Sequence, residues 1–373
     1  MKFQVSSSAL SNVLLIVGKV INPKNQRDIM QCFCMNIQKN QLIVTATDAE
    51  LTLTASAELI SSEGDFSFAI NAKKFTDAVK DLPEQPISID LNEENMEVVV
   101  FYQNGKYTLM GLSAEDFPQR EKNYDNISKI KITGEALSDG LARTIFAASN
   151  DDFKPTMCGV FLDVHTDNIT FVSTDTHRMV RYILYNFSGE KESSFILPKR
   201  PANLLKTILP KNEIEINIEF DKKRAQFSFD KYILDCTLTE GTYPKYQAVI
   251  PKSSPYSLRI DKGAFIAALK RVSVCSNEVN NLIKLELSDN QVKLIAQDAD
   301  YSTSAEEIVS AQYEGEPLRV GFKSPFLMEL INNVVTQEVR IDLTDSTRAG
   351  VLTPVDGGKE VDMLMLLMPM MIK

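Results

Sequence analysis

The chain has 373 residues, 44% of them apolar, with 50 acidic against 40 basic side chains and a formal charge of −10. That length and composition give buried cores in two or three domains and exclude disorder. No segment reaches the roughly 20 apolar residues of a membrane helix, and five widely used cysteines without zinc spacing read as reduced thiols in a cytoplasmic protein.

In chain order, one phrase recurs six times: a short alternating strand running straight into an amphipathic helix. The strands start at Phe3, Phe68, Ile130, Phe195, Leu258 and Val320. The spacing predicts helices over Ser7–Lys19, Ala72–Leu82, Glu135–Ser149, Lys199–Leu209, Lys262–Ser276 and Lys323–Val335. Between them the chain is mostly β-branched or alternating, as in Gln41–Ala46, Leu51–Ala57, Ile87–Leu91 and Met96–Phe101, with Asn and Gly at the breaks. The phrases pair, and the pairs repeat three times, because Phe3 to Ile130 spans 127 positions and Ile130 to Leu258 spans 128. A second landmark keeps the same beat: Asp48, Asp175 and Asp298, each inside an Ala/Ser-Thr/Gln-Asp phrase. Repetition of this kind decides architecture before any local detail. It predicts an α+β protein of three tandem pseudo-repeated domains, 1–125, 126–253 and 254–373, each with two helices packed on antiparallel sheet. Linkers are expected at Pro118–Asn126 and Pro251–Pro255.

Charge is sorted by element. The six helices as drawn carry twelve basic residues against five acidic ones, so they sum to +7 while the remainder of the chain sums to −17. Helix propensity alone does not explain this, since Glu suits a helix surface as well as Lys does. Catalytic signatures are missing from the pattern. His165 and His177 are the two histidines, there is no phosphate loop or dinucleotide fingerprint, and acid pairs such as Asp151-Asp152 read as solvated turns. No enzyme, cofactor or metal is expected. The end of the chain, Met363 to Lys373, is rich in methionine; most of it reads as a buried strand, but Pro369 stops a central strand and leaves an adaptable apolar tail.

Several phrases together resemble the β subunit of bacterial DNA polymerase III, the sliding-clamp family. They are Met1-Lys2-Phe3, Lys154-Pro155-Thr156-Met157-Cys158-Gly159-Val160, Thr174-Asp175-Thr176-His177-Arg178, Gly241-Thr242-Tyr243-Pro244 with Tyr246, and Met368-Pro369-Met370. They fall in one order over the whole chain. The resemblance implies a head-to-tail homodimer, a six-domain ring closed around duplex DNA without sequence specificity. Clamp loader, replicative polymerase and other clamp-binding proteins would dock in a peptide groove. The groove would use Met157, Thr174, Thr176, His177, Arg178, Met179, Pro244, Val249, Leu366, Met368, Pro369, Met370 and Met371.

The family likeness and the helix bias give a DNA-facing set of Lys24, Lys73, Lys74, Lys80, Arg143, Lys154, Lys199, Arg200, Lys206, Lys270 and Arg271. The subunit interface would join Lys74, Tyr107 and Leu109 to Val274 and Cys275 of a second copy. Two departures stand out: Thr176 where the family often has Gly, and Met371 where it usually has a basic residue. A third is Asn277–Asn281, which lacks the family's basic residues. Ring arithmetic agrees with a dimer: six helices at about 9.5 Å spacing close on themselves, whereas twelve leave a hole of roughly 26 Å. The alternative is a repeat scaffold that binds partner peptides without enclosing DNA.

Overall fold

A computed structural model describes residues 1–118, 127–185, 187, 189, 191–358 and 360–372. The boundary expected at 125/126, most of the linker at Pro118–Asn126, and Lys373 lie outside the described residues.

All six expected helices are present: α1 (Ser7–Val17), α2 (Ala72–Val79), α3 (Gly134–Thr144), α4 (Lys199–Ile208), α5 (Lys262–Ser273) and α6 (Ser324–Asn332). Each ends before its expected boundary. After α1 and α3 the chain tightens into 3-10 turns, Gly18–Val20 and Ile145–Ala147, which the apolar periodicity does not distinguish from a further helical turn. The recurring strand-to-helix phrase has a simple local cause. The last strand residue is itself the helix cap: Ser6 accepts from the Ala9 amide at 3.2 Å, Asn71 from Lys74 at 3.0 Å and Asp261 from Ala264 at 2.7 Å. One side chain thus ends a strand and satisfies an otherwise orphan helix donor. Before α6 no side chain caps, and Pro325 takes the first turn instead.

The chain forms two compact units. The first comprises 1–135 with 207–238, the second 136–206 with 239–373. In the first, thirteen strands make one antiparallel sheet, within which Tyr232–Thr237 from the second repeat pairs with Leu51–Glu58 from the first, Leu234 opposite Leu53. α1 and α2 pack side by side on it over Phe3, Phe33, Phe68 and Phe75, all fully buried. In the second unit, nine strands make one sheet and four another. Here Arg178–Leu184 of the second repeat pairs with Val361–Leu367 of the third, Val180 opposite Met365. The paired helices α5 and α6 cover the buried Phe265 and Phe322. The same kind of strand exchange between successive repeats therefore occurs in both units, and Val180 is the counterpart of Leu53 one period of 127 earlier. No helix among the described residues is long and apolar enough to cross a membrane.

Candidate partner groove and nucleic-acid face

The repeated aspartate is a turn-builder. The Asp48 carboxylate accepts from the Glu50 and Leu51 amides (3.2 and 2.8 Å), Asp175 from His177 and Arg178 (2.9 Å each), and Asp298 from Asp300 and Tyr301 (2.9 and 3.4 Å). Each reverses the chain between two strands, as an aspartate bonded to amides two and three residues on does. At Asp175 the turn is tightened further. Thr174 Oγ1 donates to the Arg178 carbonyl at 2.7 Å and accepts from the Thr176 amide at 3.2 Å.

The geometry forces Thr176 to φ = +78°, a region that a β-branched residue enters only under strain; Ala49 holds the same place in the first repeat at +79°. Glycine would hold this backbone angle without strain. Thr176→Gly is expected to raise stability by about 1 kcal/mol, read as a higher urea midpoint at unchanged slope. A midpoint that does not rise refutes the strain.

Arg178 lies beneath this turn at 8% exposure. Its Nε–H donates to Asp175 Oδ2 (3.1 Å), one terminal nitrogen to Glu329 Oε2 of α6 (2.5 Å) and the other to the Phe146 carbonyl (3.0 Å). Its guanidinium stands 4.5 Å from the Phe326 ring centroid, and the His177 ring stacks on the same ring at 6.2 Å. All three guanidinium nitrogens are engaged. Arg178 therefore fixes the turn from below rather than offering a free charge at the surface.

Beside the turn lies an apolar floor of Val172, Met179, Ile196, Tyr243, Tyr246, Ala349, Val351 and Leu366, with Phe161 packed on it. Phe161 and Tyr243 stack at 4.6 Å, nearly parallel. The Tyr246 hydroxyl donates to Asp163 at 2.9 Å, and burial pushes both tyrosine pKa values up, so the rings stay neutral. Met179 and Leu366 are thus buried floor, while Val249, Met368 and Met371 are exposed at the rim, and Met157, Pro244, Pro369 and Met370 are half-buried.

The tail is held at two points. After Leu367 the Met368 amide donates to the His177 carbonyl and the Met370 amide to the Gly321 carbonyl, each at 2.8 Å. A Cβ on Gly321 would meet Leu282 at 2.8 Å and Met370 O at 3.0 Å, so only glycine lets the tail lie this close. Sequence reasoning missed Val172, Ile196, Phe161, Ala349, Val351, Phe326 and Glu329; the β-branched and aromatic residues of Ile169–Thr174 signal a strand, but the floor also takes residues far away in sequence.

The counterpart in the first repeat is not apolar. Thr45, Thr47, Thr52 and Thr54 stand where Val172, Thr174, Met179 and Arg181 stand one period later, and their hydroxyls pair across the strands at 3.1 and 2.7 Å. Equivalent backbone therefore carries an apolar floor in one place and a satisfied hydroxyl ladder in the other.

The expected DNA-facing residues divide by unit. Lys73 and Lys74 lie on α2 and Lys80 is its C-cap, with Lys24 exposed on the loop after α1 in the same unit. Lys80 is held by Asp77 at 2.6 Å, Arg271 by a bidentate pair with Glu307, and Lys154 by Asp151 at 3.9 Å. These pairs are exposed and therefore weak. Lys199 donates to Asn150 at 2.6 Å, and burial holds its pKa below the usual lysine range; burial lowers Arg200 as well. Lys270 is exposed, and Arg143 and Lys206 are half-buried.

Each unit also has an open sheet edge. Gly105–Leu112 pairs with Glu97–Tyr102 along one side, but on the other only Gly111 and Leu112 pair, with Ile70 and Ala69, among the described residues. Tyr107, Met110 and Leu112 are exposed on it, and Leu109 is half-buried. In the second unit Thr303–Ser310 ends the four-stranded sheet with Ile308 exposed. Val274, just past α5, is 82% exposed and Cys275 half-buried. Among the described residues no group of three or more His, Cys, Asp or Glu is placed to hold a metal.

Three family models match consecutively. They are the DNA polymerase III beta subunit N-terminal domain over residues 1–121, its central domain over 131–245 and its C-terminal domain over 247–371. The chain belongs to the DNA polymerase III beta-subunit family. It is a DNA sliding clamp, a non-catalytic processivity subunit of a polymerase assembly. The Pseudomonas putida beta sliding clamp is 27% identical over 356 residues, covering 94% of this chain and 95% of that one. The Synechococcus elongatus beta sliding clamp is 27% identical over 382 residues, covering both chains entirely. Among solved structures, a Pseudomonas aeruginosa sliding clamp bound to griselimycin superposes with a TM-score of 0.94 at 25% identity, covering all of both chains. The Thermotoga maritima beta subunit, at 22% identity and a TM-score of 0.90, shows the same fold.

Proposed function

We propose that two copies of this chain join head to tail into a ring that encloses duplex DNA and slides on it in the cytoplasm, tethering a replicative polymerase. The carrying observation is likeness along the whole length of both chains, which supports three clamp domains at 1–125, 126–253 and 254–373. The open edge at Gly105–Leu112 of one copy takes the edge at Thr303–Ser310 of the next, with Lys74, Tyr107 and Leu109 against Val274 and Cys275; strand addition removes two unpaired edges at once. Lysines and arginines of the helices meet phosphates through water and read no sequence. Exposed, weakly paired cations such as Lys80 exchange a carboxylate for a phosphate at little cost, which suits sliding. Clamp loader, polymerase and other partners insert an apolar peptide over the floor of Met179, Tyr243 and Leu366, between the Thr174–Arg178 turn and the Met368–Met371 tail.

Enclosure has a direct test. The protein is loaded by its clamp loader on nicked circular DNA, which is then cut once. The ring is expected to run off the linear ends within minutes while staying on uncut circles. Equal retention on both forms refutes enclosure and favours a scaffold that binds only peptides.

A further inference from the structure

Phe153 is 97% exposed, the most exposed aromatic side chain in the described chain, on the loop that joins the 3-10 turn after α3 to Met157. A phenylalanine left in water forgoes the burial that stabilises every other Phe of the core, and this loop does not leave it there by being slack. The Asp151 amide donates to Ser149 Oγ (3.0 Å), the Phe153 amide to Asp151 Oδ1 (3.1 Å) and the Lys154 amide to the Asp151 carbonyl (2.9 Å). The Cys158 thiol donates to that same carbonyl at 3.2 Å, and the Ser149 amide to the Met157 carbonyl at 2.9 Å. The loop is thus pinned across its base, Ser149 and Asp151 to Met157 and Cys158 just before the strand Gly159–Val164, and presents the ring outward.

Its charge selects the occupant. Asp151 and Asp152 directly precede Phe153 and are both exposed; of the cations near the loop, Lys154 is paired with Asp151 and the half-buried Lys199 with Asn150. A phosphate backbone is repelled by such a tip, whereas a polypeptide with a lysine or arginine beside an apolar hollow complements it.

We infer that Phe153 is a second anchor for groove-bound protein partners: it inserts into an apolar hollow on the folded body of the partner, while Asp151 and Asp152 face basic residues at that hollow's rim. The inference rests on the groove reading above, since Met157 ends the same loop and belongs to the groove. Groove and anchor together give one partner two contacts, so the second binds at high effective concentration. Aromatic side chains that become buried at the centre of a contact, with a polar rim around them, carry much of the binding energy of interfaces.

The test compares two ligands on the dimeric clamp: the full-length replicative polymerase catalytic subunit, and a synthetic peptide of its clamp-binding segment. Phe153→Ala is expected to weaken the full-length subunit by about tenfold and to leave the peptide affinity unchanged. Asp151→Asn with Asp152→Asn is expected to weaken it less and to flatten its salt dependence. Unchanged full-length affinity in Phe153→Ala overturns the anchor. An equal loss for subunit and peptide also overturns it, by placing the ring in the groove itself. Faster loss from circular DNA with unchanged partner affinity overturns it in favour of a nucleic-acid contact. Failure of the peptide to bind the unaltered clamp strikes the groove reading instead, and binding of the full-length subunit in that case still reports on Phe153.

Discussion

Arg178→Ala is expected to destabilise the second unit by about 3 kcal/mol and to abolish peptide binding. The replaced guanidinium is 8% exposed and joins three segments that are distant in sequence: the turn at Asp175, the 3-10 turn at Phe146 and α6 at Glu329. The cost falls mainly on Asp175, whose side chain is only 15% exposed and loses its charge partner; Glu329 at 44% turns to water at much smaller cost. The void also removes the cation from the Phe326 face, on which His177 stacks. Without that support the turn holding Thr174, Thr176 and His177 loses its fixed position beside the floor. Urea unfolding and peptide titration check the two parts separately. Arg178→Lys keeps the charge but not the fork, and is expected to fall between the two. A change under about 0.5 kcal/mol for Arg178→Ala shows that the network is dispensable.

Local signals carried most of the architecture. The six helices were legible because apolar periodicity is written in adjacent positions; the caps Ser6, Asn71 and Asp261 came to light only in the structure. The repeated aspartate was legible as a landmark, and its meaning, a carboxylate closing a turn on two following amides, needs only three neighbouring residues. What alternation does not encode is which strands meet. The pairing of Leu234 with Leu53 and of Val180 with Met365 joins segments some 180 residues apart, and each strand would read the same beside another partner.

The same limit explains the site. Thr174–Met179 and the methionine tail were placed by family resemblance. Arg178 was taken as part of the groove surface, because Glu329 and Phe326, which draw it inward, lie about 150 residues on. The strain at Thr176 was likewise invisible: the resemblance suggested a departure from glycine, and only the backbone angle of +78° shows what threonine costs there.

Deleting Met368–Lys373 is expected to reduce partner-peptide binding below detection while the dimer persists. The tail is held at two points, by Met368 to His177 and by Met370 to Gly321, and between them it walls the floor around Leu366 and Met179. Without it a bound peptide keeps the floor but loses the methionines that would cover its apolar side chains, and binding through a few buried anchors does not survive loss of one wall. The fold is expected to tolerate the loss. Val361–Leu367 stays paired on both sides, with Arg178–Leu184 and with Gly350–Pro354, so the sheet itself loses no strand. The proposed subunit edges, Gly105–Leu112 and Thr303–Ser310, contain none of the deleted residues. Sedimentation is therefore expected to return the mass of two chains, and peptide titration no measurable affinity. Met371, 95% exposed at the rim, gives a graded version of the same test, since Met371→Ala removes apolar cover without touching either anchor of the tail and should weaken binding only a few-fold. Unchanged peptide affinity in the deletion removes the tail from the groove. A deletion that yields single chains moves its role to the subunit interface.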